Sequence, residues 1–165
     1  MFKVTNWTSY YETVSDLMSN DQVKSMHRYR HHFSVTCYEH SVFVSYVSFR
    51  LARRLGLDYV TAARGGLLHD FFLYDSKDKS QFEGIQCFAH PKIAVKNADM
   101  VCDLSEKEKN IIVSHMWPIS PKMPKSREAF IVNLADKYCA TMEVLHVWHR
   151  LKMPKHMPRP VFMPA

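Results

Sequence analysis

Six side chains of the kinds that bind divalent metals recur along the chain: His40, the adjacent pair His69 and Asp70, His90, His115 and Asp136. Imidazole nitrogens and carboxylate oxygens together suit borderline-hard divalent ions such as iron, manganese, cobalt and zinc, with no need of a thiolate. Neighbours on a helix point about 100° apart, so His69 and Asp70 can flank a metal from two sides. A carboxylate can also bridge two ions, which a single imidazole nitrogen cannot. One histidine taken alone is more often a satisfied structural residue than a ligand. The ordered set reverses that reading, because each buried, unpaired polar group would otherwise cost roughly a few kcal/mol.

These residues need elements to hold them, and the hydropathy pattern supplies helices. Residues 8–18 have the pattern of a short amphipathic helix, and 21–29 of another turn or two. A long helix is expected over about 33–55, with Val44, Val47, Leu51 and Leu55 as a buried stripe at steps of three and four, and His40 on the same stripe. Gly56 stops that helix and Asp58 caps the next, whose Ala62, Ala63, Gly65 and Gly66 allow close approach of a neighbour before it ends at His69 and Asp70. Residues 75–88 lack a helical period and are expected to form an exposed loop. Pro91 suits a first helical position, with His90 just ahead of it. Ser105 and Glu108 form a capping box for the next helix, which Pro118 limits to about His115. Ser126 caps a last helix reaching about Leu151, with Phe130, Leu134, Tyr138 and Leu145 as its apolar stripe and Asp136 in its middle.

No strand is expected, and the fold class is all-α: a compact single-domain bundle of five to seven helices. The domain spans 1–151 with its core over about 33–150, and the Pro- and Met-rich stretch 152–165 reads as an extended tail.

The totals agree with one soluble domain. The chain has 165 residues, 47% hydrophobic and 23% charged, and only 4 glycines, too few for a turn-rich all-β design. No apolar run approaches the roughly 18–20 residues of a membrane span, and the first residues lack a signal-peptide pattern, so a cytoplasmic location is expected. Cys37, Cys87, Cys102 and Cys139 are widely spaced without a CxxC, which argues against a disulfide framework or a thiolate zinc site. The net charge of +6 comes from scattered bases with no compact basic, aromatic-interleaved run, which argues against a nucleic-acid module.

The motifs "GLLHD" around His69 and Asp70, "HPKIAVKNA" from His90, "IIVSHMWP" around His115 and "NLADKY" around Asp136, together with His40, resemble the HD superfamily of metal-dependent phosphohydrolases. The resemblance covers about 33–150. The histidines at 90 and 115 are similar to those of the two-metal, HDIG-like subset and of bacterial HD hydrolases of symmetrical dinucleoside polyphosphates. It implies two divalent ions (Fe, Mn, Co or Zn): one held by His40, His69, Asp70 and Asp136, the other by Asp70, His90 and His115, with Asp70 bridging. Two ions roughly 3.5–4 Å apart activate a water for in-line attack on a phosphoryl group. The activity implied is hydrolysis of a phosphate ester or anhydride of a nucleotide or other small molecule.

One position departs from the family pattern. Where the "HDIGK" form carries a lysine three residues after the aspartate, this chain has Leu73. Lys137, or the loop cations Lys122, Lys125 and Arg127, would then bind the phosphate, and Asp75 is a candidate general acid or base beside Asp70. His27, His31, His32, His146, His149 and His156 fall outside the pattern; His31 and His32 either line the site entrance or sit at the surface, with the surface preferred. Two further readings use the same ligands: a di-iron HD-type oxygenase, and a non-catalytic metal- or nucleotide-binding sensor. The expected partners are a small phosphorylated substrate and at most a second copy of the chain, as a monomer or homodimer.

Overall fold

The computed structural model describes residues 4–32 and 35–145. Its α-helices are α1 (Val4–Ser19), α2 (Asp21–Lys24), α3 (Cys37–Arg54), α4 (Tyr59–Leu68), α5 (Gln86–Asp99), α6 (Glu106–Ser114) and α7 (Arg127–Val144). The all-α class holds. The tail at 152–165, and His146, His149 and His156, lie outside the described residues.

The expected helix ends come from local chemistry. Ser105 Oγ accepts the Glu108 N–H while Glu108 reaches back to the Ser105 N–H, closing the capping box of α6. Asp58 accepts the Thr61 N–H at the start of α4, and Ser126 accepts the Ala129 N–H at the start of α7. Gly56 stands at φ 66°, the left-handed turn that ends α3.

Three expectations need correction. First, α3 begins at Cys37 rather than 33, because Thr36 and Glu39 form a capping box there. Ahead of it lies a small antiparallel hairpin, β1 (Arg30–His32) with β2 (Val35–Thr36), too short to show strand alternation in the sequence. Second, α5 begins at Gln86, a turn ahead of Pro91, which therefore lies inside the helix. Its first turn closes onto Ile85, whose carbonyl accepts the N–H groups of Phe88 and Ala89.

Third, the apolar stripe expected on α7 faces outward, and the one on α3 does so only in its second half, Val44 being buried and Val47 partly buried. Leu51 on α3 and Leu55 just past its end, and Phe130, Leu134 and Tyr138 on α7 and Leu145 just past its end, are exposed, Leu134 at 63%. The inward faces mix large apolar residues, such as Phe43, Tyr46 and Phe49 on α3 and Ile131 and Val132 on α7, with small or polar ones: Ser41, Ser45, Ser48 and Ala52 on α3, and Ala129, Ala135, Asp136, Cys139 and Glu143 on α7. Small side chains let the helices come close, and the carboxylates are needed inside.

The glycines of α4 let it pack closely on α3 and on α6. Ser45 Oγ donates to the Ala63 carbonyl at 2.6 Å. A Cβ on Gly66 would stand 3.1 Å from the Ser45 Cα, and one on Gly65 would stand 2.8 Å from two Ile111 carbons. Alanine gains about 1 kcal/mol of helix propensity over glycine, but overpacking costs about 1–3 kcal/mol. With contacts as short as 2.8 Å the overpacking cost lies above the low end, so Gly65→Ala is expected to lose about 1–2 kcal/mol net, lowering Tm by roughly 2–8 °C in a thermal melt; an unchanged or raised Tm would contradict this packing.

Around this contact, α3 also packs on α7, α6 lies against α4, α5 and α7, and α1 covers α4. On the side away from the site, Tyr10 of α1 meets Tyr46 and Phe49 edge-on at 5.2 and 5.6 Å. Arg64 ties three helices, its Nε donating to Glu108 and its Nη1 to Asp16. With these contacts holding the bundle, the ends of α4 and α6 point at the middle of α7.

Candidate metal centre

Five elements deliver the six expected ligands to one place. His40 comes from the first turn of α3, His69 and Asp70 from the end of α4, His90 from the second turn of α5, His115 from the end of α6, and Asp136 from the middle of α7. All six are buried.

The imidazoles share one orientation, set by their outer nitrogens. Nδ1–H donates to the Gly66 carbonyl from His69 at 2.7 Å, to the Gln86 carbonyl from His90 at 2.8 Å, and to the Ile112 carbonyl from His115 at 2.8 Å. A carbonyl can only accept, so each neutral ring carries its proton on Nδ1 and turns a lone pair on Nε2 inward. His40 Nδ1 is held the same way by Glu143 Oε1 at 2.6 Å.

The inner atoms form two groups that share Asp70. His90 Nε2 and His115 Nε2 stand 2.9 Å apart, and 3.3 and 3.4 Å from Asp70 Oδ1. On the other side, Asp70 Oδ2 is 3.6 Å from His69 Nε2 and 4.0 Å from His40 Nε2, while Asp136 Oδ1 is 3.1 Å from His40 Nε2 and 3.6 Å from His69 Nε2. His40, His69 and Asp136 form one set able to hold an ion, and His69, Asp70 and His115 another.

Divalent metals fit these residues. His69 Nε2 and Asp70 Oδ1 are fully buried with no hydrogen-bond partner, a costly state unless a cation takes their lone pairs. His90 and His115, with both Nδ1 atoms already donating, aim two lone pairs at each other across 2.9 Å. A shared cation removes that repulsion.

Charge follows the same geometry. Burial favours neutral carboxyls, but the surrounding imidazoles outweigh it and hold Asp70 and Asp136 well below the usual carboxylate range. Burial likewise opposes a charged His40, yet Glu143 and Asp136 raise it to about 9. Burial, with His69 and His90 nearby, lowers His115.

Two members of the cluster were not among the expected ligands. Glu143, buried on α7 two turns beyond Asp136, takes His40 Nδ1 with one oxygen and His31 Nδ1 with the other, at 3.2 Å. His31, for which the site entrance was the less favoured of two expected places, stacks on His40 with ring centroids 3.7 Å apart and turns Nε2 to Asp70 Oδ2 at 3.1 Å. A spacing of seven from Asp136 to Glu143 marks one helix face and could have found the glutamate. No helical spacing leads to His31, because it arrives on β1.

Four of the six candidate ligands, Asp70, His90, His115 and Asp136, border a cavity of about 330 Å³ whose polar lining also includes Arg30, His31 and Lys137. Lys137 Nζ donates to the carbonyls of His115 and Asn133 at 3.1 and 3.4 Å, and burial lowers its pKa. The other expected phosphate ligands lie elsewhere: Lys122, Lys125 and Arg127 are exposed and do not line this cavity, and Lys125 borders a separate cleft with Asn110. Asp75 is also exposed, its carboxylate accepting the Lys77 N–H. Leu73, where the resemblance would have a lysine, is half-buried with φ 52° and does not line the cavity. The cations at the mouth are thus Arg30, which was not foreseen, and Lys137.

An all-helical scaffold with histidines and aspartates converging from its helix ends defines a metal-centre protein of the His–Asp kind. A family model for the HD domain matches residues 37–141, most of the chain, and the chain belongs to the HD-domain family. That family consists mostly of metal-dependent phosphohydrolases. No curated protein and no solved structure gives a match. Among the described residues, no helix is long and apolar enough to cross a membrane.

Proposed function

We propose that the protein is a divalent-metal-dependent phosphohydrolase of a small phosphorylated molecule, nucleotides among the candidates, working with two ions. The observation that carries this reading is Asp70, which turns Oδ1 to His90 and His115 and Oδ2 to His40 and His69 within a cavity that also has two cationic side chains. His40, His69, Asp70 and Asp136 would hold one ion, and Asp70, His90 and His115 the other. Such a pair, when bound, lowers the pKa of a water nucleophile and offsets charge on the phosphoryl oxygens.

The chain's own residues do the rest. Arg30 and Lys137 border the cavity and can hold phosphoryl oxygens by charge-assisted hydrogen bonds, taking the place of the lysine that Leu73 replaces. The carbonyls of Gly66, Gln86 and Ile112 keep the Nδ1 protons in place, so Nε2 of His69, His90 and His115 stays a lone-pair donor. Phe72, Met116 and Ile119 give the same cavity an apolar wall for the rest of the substrate. At about 330 Å³ the cavity suits a small ligand.

A phosphorylated ligand is favoured over a dioxygen-dependent organic substrate because a polyanion is what two cations beside a metal pair attract, and the family's prevailing chemistry favours its hydrolysis. The test is a panel of nucleotides and phosphate esters assayed with manganese, cobalt, iron and zinc. Phosphate or nucleotide release that disappears with chelator is expected. Tight nucleotide binding by fully loaded protein without product would overturn hydrolysis and favour a sensor; iron-dependent oxygen uptake with an organic substrate would favour the oxygenase.

A further inference from the structure

We propose that His31 is a further ligand of the ion held by His40, His69, Asp70 and Asp136, so that this position is enclosed by five side chains while the His90–His115 position keeps room for substrate and water. The inference rests on the metal reading above, and goes beyond it by making the two positions unequal.

His31 has the arrangement of the other imidazoles. Its Nδ1 is tied to a fixed acceptor, Glu143 Oε2 at 3.2 Å, and its Nε2 is turned to Asp70 Oδ2 at 3.1 Å. The ligand atoms of His31, His40 and Asp70 all lie within 4.8 Å of one another. Ligands bound about 2.0–2.2 Å from one ion stand roughly 2.9–3.6 Å apart, from right-angle to tetrahedral geometry. The 3.1 Å separations of His31 from Asp70 and of His40 from Asp136, and the 3.6 Å separations of His69 from both carboxylates, fall in that range, while the 4.0 Å between His40 and Asp70 matches the roughly 4.0–4.4 Å of ligands on opposite sides of one ion. The near-parallel stack on His40, 16° between rings, accounts for Glu143 reaching Nδ1 of both.

The backbone ahead of His31 is shaped for this placement. The pairing of β1 with β2 shifts between Arg30 and His32, so His31 sits at an irregularity in the hairpin. Such irregularities re-aim a side chain, and they recur beside active sites. The Cys37 N–H donates to the Tyr29 carbonyl at 2.8 Å, fixing the hairpin to the start of α3. His31 and Glu143 both fall outside residues 37–141, the part that matches the HD family.

The test is stepwise loading of the metal-free protein with cobalt, followed by chelator competition and X-ray absorption at the cobalt edge, for the wild-type chain and His31→Gln. In the wild type the tighter equivalent should show three imidazoles. In His31→Gln that equivalent should show two and bind at least about tenfold more weakly, with the weaker equivalent unchanged. Glu143→Gln, which leaves both imidazoles in place, should weaken the same equivalent without changing the imidazole count. A His31→Gln chain that binds both equivalents as the wild type does, or loses both alike, overturns the assignment. A wild-type chain that takes up no divalent ion overturns the metal reading itself, which is a different result from either.

Discussion

Asp70→Ala is expected to remove both metal equivalents together, weakening each by at least about 100-fold and abolishing hydrolysis. Asp70 offers one oxygen to each group: Oδ1 lies 3.3 and 3.4 Å from His90 and His115, and Oδ2 3.6 Å from His69. Removing His115 instead leaves the opposite group intact, so His115→Ala should keep one tight equivalent. Metal content after desalting distinguishes the two variants. Retention of two ions by Asp70→Ala would contradict a bridging carboxylate.

Metal removal has the next largest expected effect, and it is coupled to pH. Two ions each present at about a thousand times their dissociation constant add about 4 kcal/mol apiece to stability. Stripping them should therefore lower Tm by roughly 15–30 °C for a chain of this size. In the metal-free protein His40 is raised from 6.5 to about 9. Its contribution, on the order of 3 kcal/mol, is fully present below pH 6.5 and lost as pH rises through 9. Asp70, Asp136 and Glu143 are depressed, Glu143 to about 2, so their contribution is present above the ordinary carboxylate range and lost as pH falls toward 2. Metal uses the His40 lone pair and displaces its proton, so the loaded form should not share the alkaline loss. The gap in Tm between loaded and metal-free protein should widen from pH 6.5 to 9. A gap that stays constant or narrows over that interval would show that His40 is not held as a proton-bearing ring in the metal-free state.

The candidate ligands were legible in the sequence because their chemistry is costly to bury without a partner. His69 and Asp70 end an apolar run, and His115 ends a helix with a capping box at its start, so local rules placed them as well as named them. Large apolar residues misled where small ones mattered. Leu134 and Tyr138 have the spacing of a buried stripe on α7, yet Ala135, Asp136 and Cys139 take the inner face because α3 packs there and the metal site needs carboxylates. Pro91 marked a helix start by preference, but a turn closed on Ile85 ahead of it. The loop cations Lys122 and Lys125 were plausible by charge alone, and charge says nothing about which way a loop faces. Arg30 and His31 reach the cavity through a two-stranded hairpin whose irregular pairing leaves no periodic mark.

Metal content per chain, measured by elemental analysis after loading with manganese or cobalt and desalting, tests the central claim most directly. Two ions per wild-type chain are expected, because two groups of inward-facing lone pairs meet across the two oxygens of Asp70. A loaded chain that retains no ion, or only one, would contradict a two-metal HD centre.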